Sequence, residues 1–103
     1  FYPLGDFDGN DDLLAVEKCC EITSRTGTDV TVSYEQWMKV GCSLATLGED
    51  GRPFFHICSQ QNQDYNELKT DKLFSDLLKR NYQSVSIGTF FWICRQYGIR
   101  IHS

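Results

Sequence analysis

The chain has 103 residues, 41% of them hydrophobic and 14% aromatic, and a net charge of -4. That length holds one domain around a single core; no apolar run approaches the ~18 residues of a membrane span, and no secretory leader is recognisable. The charge is uneven: residues 1–50 hold ten acids against Lys18, Arg25 and Lys39, a balance of -7, whereas residues 51–103 hold seven bases against four acids, a balance of +3. The second half could therefore meet a polyanion, the alternative from charge alone being ordinary solvated surface.

Residues 1–10 are rich in Gly and Asp and read as a linker or arm, residues 11–100 as the folded domain, and residues 101–103 as a tail. The chain opens on Phe1 rather than Met, so a segment of a longer protein is expected. A first helix is predicted over residues 11–26. Asn10 or Asp11 caps it, acids fill its first turn, and Gly27 closes it. Its buried stripe is Leu13, Val16, Cys20 and Thr23. Residues 28–32 are mostly β-branched, an extended connector too short and isolated for a sheet.

The second helix carries the clearest signals. Ser33-Tyr34-Glu35-Gln36 has the spacing of a capping box, in which Ser33 and Gln36 satisfy end amides reciprocally. Tyr34, Trp37, Met38, Gly41, Leu44 and Ala45 then fall on one face, and Gly48 ends the helix. A glycine inside a helix costs about 1 kcal/mol against alanine, so Gly41 on the apolar face predicts close approach of another helix. Pro53 suits the first turn of a short third helix with Phe54, Phe55, Ile57 and Cys58. Residues 59–66 read as an exposed polar loop. Thr70 is expected to cap a fourth helix, with Leu73, Phe74, Leu77 and Leu78 inward and Lys72, Lys79 and Arg80 outward. Ser86 is expected to cap a fifth, with Phe90, Phe91, Cys94 and Tyr97 inward and Gly98 at its end. The fold class that follows is all-α: a compact single domain of about five short helices around Trp37, Leu44, Phe74, Leu77 and Phe91.

Five cysteines, an odd number with two adjacent, all fall in helical segments among apolar residues. They read as reduced, buried side chains in a cytoplasmic protein rather than as a disulfide framework. His56 and Cys58 are two apart, a spacing that points them away from each other on a helix, so no zinc site is expected. The acidic run Asp6, Asp8, Asn10, Asp11, Asp12 and Glu17 resembles a calcium loop, but Asp11 stands where its turn glycine belongs. Those acids are better used as the start of the first helix. Asp6 and Asp8 lack the third acid and the flanking strand of a polymerase carboxylate pair. His56 and His102 show no nucleophile partnership, and no phosphate loop or nucleophile elbow is present. No catalytic residue, metal ligand or cofactor is therefore expected.

The strongest surface signal lies on the fifth helix, where Thr89, Trp92, Arg95 and Gln96 share the face opposite Phe91 and Cys94. If exposed, an indole beside a guanidinium and an amide suits base stacking or groove reading; the alternative is that Trp92 packs under the first helix or the linker. With Lys72, Lys79 and Arg80 these are the candidate nucleic-acid-binding residues.

Trp37, Val40, Gly41 and Leu44, then Ser59 with Tyr65, then the helix from Leu73 to Leu78, then Ser86-Ile87-Gly88-Thr89-Phe90-Phe91 with Gly98, resemble in that order the helical primase C-terminal domain family. This is the family of phage, plasmid and mobile-element primase-helicases. The likeness covers roughly residues 10–100, with Cys94 where the family usually has alanine. It implies a noncatalytic module of DNA replication, beside a primase domain and often before a helicase. Its partners would be those neighbouring domains, with single-stranded DNA or a primer-template as a further one, and no membrane. The alternative is a helix-turn-helix-like DNA-binding regulator or a protein-docking domain.

Overall fold

Residues 9–80 and 85–99 are described by the computed structural model. Five α-helices run in order: α1 (Gly9–Thr26), α2 (Tyr34–Ala45), α3 (Arg52–Ser59), α4 (Glu67–Arg80) and α5 (Ile87–Gln96), with a 3-10 turn (Gly48–Gly51) before α3. No strand occurs among the described residues, and the all-α expectation holds. Of the expected arm, Gly9 and Asn10 already belong to α1; the rest of it and the tail at residues 101–103 lie outside the described residues.

Helix α2 is the hub. α3, α4 and α5 all pack on it, and α1 packs on α3 and α5. Gly41 makes the hub possible: a Cβ there would lie 2.7 Å from Leu77 Cδ1 and 3.0 Å from Phe55 Cζ. Helices α3 and α4 thus press onto α2 at the one residue that presents no side chain. Gly51 performs the same service in the 3-10 turn, where a Cβ would collide with the Leu44 carbonyl.

The core is built from Val16, Val40, Leu44, Phe55, Phe74 and Phe90 together with four thiols. Leu44, Phe74 and Leu77 are buried as expected. Trp37 and Phe91 are only partly buried and pack against the core from its edge. Tyr34 leaves the expected face and is 70% exposed. Val40 and Ser43 are buried instead, because partners on several sides of α2 close over more than one stripe. The Ser43 hydroxyl is satisfied by donating to the Val40 carbonyl at 2.9 Å.

The helix ends show where local signals yielded to tertiary contacts. The Ser33 hydroxyl accepts from the Gln36 amide at 3.1 Å, as a cap should. The Gln36 side chain does not return the bond. Its Nε2 donates to the Val30 carbonyl and to the Tyr97 hydroxyl, both at 2.7 Å, tying α2 to the preceding connector and to the end of α5. Thr70 is not a cap: α4 starts a turn earlier, where Asn66 Oδ1 accepts from the Lys69 amide at 2.9 Å, and Thr70 is buried in the first turn. Ser86 holds the capping position on α5, but its hydroxyl makes no capping bond. Gly48, with φ +70, opens the 3-10 turn rather than ending α2, which Thr46 closes.

Candidate nucleic-acid interface

The inner face of α5 is sealed by Phe90, Ile93 and Cys94, all buried. Its outer face therefore has to face water. Trp92 is 60% exposed there, Arg95 and Gln96 are exposed one turn on, and Thr89 is half-buried one turn back. The indole plane, a guanidinium and an amide thus occupy one helical face at i, i+3 and i+4. On α4, Lys72, Lys79 and Arg80 are exposed. Lys72, Lys79 and Arg95 form no ion pair among the described residues. Helices α4 and α5 each pack on α2 rather than on one another, so the candidate residues form two clusters flanking a common helix.

A second feature has no counterpart in the periodicity of any one helix. A cleft of about 290 Å³ opens between the α1–α2 connector, the start of α2 and the α3–α4 loop. Trp37 forms one wall. Its ring stacks on buried Phe55 with centroids 5.7 Å apart, and its Nε1–H donates to Ser59 Oγ at 2.9 Å. Tyr34 meets Trp37 edge-on at 5.9 Å. Tyr65 faces them across the cleft, and Lys69 stands at the rim. Asn62 closes one end by donating to Asp29 Oδ2 at 3.0 Å. The cleft can offer aromatic faces, amides and one ammonium. Trp37, Ser59 and Tyr65 carry part of the family likeness, and that ordered set was the available signal; their convergence depends on how α2 and α3 pack.

His56 has partners that the sequence did not reveal. Its Nδ1 is hydrogen-bonded to the Tyr65 hydroxyl at 2.8 Å, and its Nε2 pairs with Asp71 Oδ1 at 3.2 Å. Arg52 Nη1 donates to the same Asp71 oxygen at 2.9 Å and the guanidinium binds Glu49 with two bonds, at 2.8 and 2.9 Å. The Arg52 guanidinium, then the His56 ring, hold the Asp71 carboxyl below its ordinary range. Arg52 does the same for Glu49. The guanidinium also lies 5.1 Å from the centre of the Phe74 ring. This chain of charges orients Tyr65 at the cleft.

Asp6, Asp8 and His102 lie outside the described residues. Asp11, Asp12 and Glu17 belong to α1, as expected of acids at the start of that helix.

A family model described as Primase C terminal 2 matches residues 20–94, from the middle of α1 into the last turns of α5. No curated protein and no solved structure matches the chain.

Proposed function

The chain belongs to the Primase C terminal 2 family, and from that premise we propose that it is a noncatalytic helical module of a replication primase or primase-helicase, of the kind carried by mobile elements. Residues 11–100 are its working unit. It assists primer synthesis by holding single-stranded template or a primer-template against its second half, beside the primase and helicase domains that neighbour it. Trp92 stacks on an unpaired base, Arg95, Gln96 and Thr89 flank it, and Lys72, Lys79 and Arg80 supply phosphate contacts from α4.

The observation that supports this most is the 60% exposure of Trp92 on a helix whose opposite face is sealed. Burying a large apolar side chain is worth about 1.5 kcal/mol or more, and the fold leaves most of that unused beside two groups suited to nucleotides. Base stacking on such a ring contributes ~1–3 kcal/mol per base. The -7 half of the chain opposes the same ligand, so micromolar or weaker binding is expected. The test is titration of the isolated protein with single-stranded DNA over a salt series. Trp92→Ala should weaken binding at every salt concentration. Lys79→Ala combined with Arg80→Ala should chiefly flatten the salt slope, by ~0.7 for each phosphate that is no longer neutralised. Wild-type-like binding by both variants, or no binding by the wild type at low salt, would leave the neighbouring domains as the only partners. Tight binding of duplex with sequence preference would favour the regulator reading instead.

A further inference from the structure

Adjacent Cys19 and Cys20 point from α1 to different helices. Cys20 Sγ lies 3.7 Å from Cys58 Sγ on α3, and Cys19 neighbours Cys94 on α5. Four of the five thiols thus form two pairs, both of which fasten α1 to the bundle. All four thiols are buried, Cys20 at 1% exposure, and the pairs differ only in what borders them. An open groove of about 430 Å³ runs between α1 and α3, and Cys20 lies in its floor with Phe54 and Ile57, while Glu17, Glu21 and Arg25 stand on its wall. Neither Cys19 nor Cys94 lines it.

We propose that the Cys20–Cys58 pair is an oxidative modification site, closed to a disulfide by a small neutral peroxide that enters the α1–α3 groove. Hydrogen peroxide needs little more room than a water molecule, which suits a thiol that borders the groove yet is only 1% exposed, whereas glutathione disulfide is too bulky to reach it. In the first step the Cys20 sulfur attacks one peroxide oxygen. The O–O bond breaks, an S–O bond forms, and the thiol proton leaves with the departing hydroxide as water. Sulfur is oxidised by two electrons and the peroxide is reduced by two. In the second step the Cys58 sulfur attacks the Cys20 sulfenic acid. The S–O bond breaks, the S–S bond forms, and the Cys58 proton leaves with the hydroxyl as a second water.

The order of events follows from the surroundings. Cys58 is fully buried, and its bond to Cys20, together with burial, pushes its thiol well above the ordinary value. It keeps its proton and acts as the resolving partner. Cys20, on the groove floor and donating to the Phe54 carbonyl at 3.9 Å, meets the oxidant first. The sulfurs must then close from 3.7 Å to the ~2.05 Å of a disulfide, a movement shared between two side chains. The product fixes α1 to α3 covalently across 38 residues of sequence.

The experiment treats the reduced, folded protein with hydrogen peroxide, alkylates the remaining thiols and maps linked peptides by mass spectrometry without reduction. The expected result is the loss of two of the five thiols and a single intramolecular link between Cys20 and Cys58. Cys58→Ser should stop the reaction at a sulfenic acid on Cys20 that a dimedone probe captures. Cys20→Ser should leave Cys58 unmodified. The wild-type link needs no variant to fold, and circular dichroism of each variant checks that it does. A link between Cys19 and Cys94 in its place, oxidation confined to Cys42, links only between chains, or a Cys20–Cys58 link that appears only in denaturant would each overturn the proposal.

Discussion

Gly41→Leu tests the packing on which the whole bundle rests. In the native structure the first added carbon would lie 2.7 Å from Leu77 Cδ1 and 3.0 Å from Phe55 Cζ. Carbon atoms rest comfortably at about 3.5–4.0 Å, so one contact is short by roughly an ångström before the rest of the leucine side chain is placed. Relief by rotamer change is restricted, because Phe55 is fully buried and Leu77 nearly so. Overpacking of this kind costs ~1–3 kcal/mol for small additions, and four carbons belong at the upper end. Against it stands the gain in helix propensity, a little under 1 kcal/mol for replacing glycine. The balance is a loss of at least ~2 kcal/mol. With a urea slope of ~1–2 kcal/mol per molar for a domain of this size, the midpoint should fall by about 1–2 M. Chemical denaturation followed by far-ultraviolet circular dichroism reads this directly. An unchanged or raised midpoint would mean that α3 and α4 do not press on α2 at this residue, and the proposed hub would be wrong.

Three further outcomes follow from individual side chains. Asn66→Ala should destabilise by ~1 kcal/mol through loss of the α4 cap, whereas Thr70→Val, a buried near-isostere, should leave the helix start intact; amide exchange at Lys69 separates the two. Ser59→Ala should cost ~1–2 kcal/mol in thermal unfolding, because the part-buried Trp37 indole N–H loses its acceptor. Asp71 and Glu49 have folded values held below their ordinary ones by Arg52. The stability they confer is therefore complete only above about pH 5, past the ordinary value of either carboxyl, and is lost as the pH falls through the depressed folded values. Both carboxylates are exposed to solvent, so 1 M salt should shrink this acid-side loss. Arg52→Gln should remove most of it, and an unaltered profile in that variant would refute the assignment.

What the sequence made legible was whatever depends on one helix at a time. The apolar stripes placed five helices, Ser33 caps α2 as its spacing predicts, and the cost of a glycine on an apolar face pointed to close contact at Gly41. The same periodicity put Trp92 opposite Phe91 and Cys94 but left open whether α1 or the arm covers it, and the packing of α1 decides that it stays exposed. What stayed hidden were choices between equivalent local partners. Gln36 could close a capping box or reach Val30 and Tyr97, and only the arrival of α5 decides. Asn66 and Thr70 both suit a helix start; the burial of Thr70 against the core selects Asn66. His56 has no partner within a few residues in sequence, yet finds Tyr65 and Asp71 once α3 meets α4. The cleft is hidden for the same reason, since its walls come from three separate segments.

The exposed large apolar residues among those described are Leu14, Val32, Tyr34, Leu68 and Trp92. Isolated surface leucines and valines are ordinary and require no ligand. Tyr34 already rests edge-on against Trp37 at the cleft. Trp92 differs because its neighbours one turn along, Arg95 and Gln96, supply a charge and an amide without completing a core. The charge distribution then separates stacking from simple electrostatics. Salt weakens attraction to the basic half and repulsion from the acidic half alike, over a Debye length of ~10 Å at 0.1 M. A ligand held mainly through its phosphates would lose affinity steeply with salt, with a slope of ~0.7 per neutralised phosphate. A ligand held mainly by Trp92 would lose little. A shallow salt slope that Trp92→Ala leaves unchanged, while affinity falls at every salt concentration, is therefore the response that assigns the binding energy to the ring.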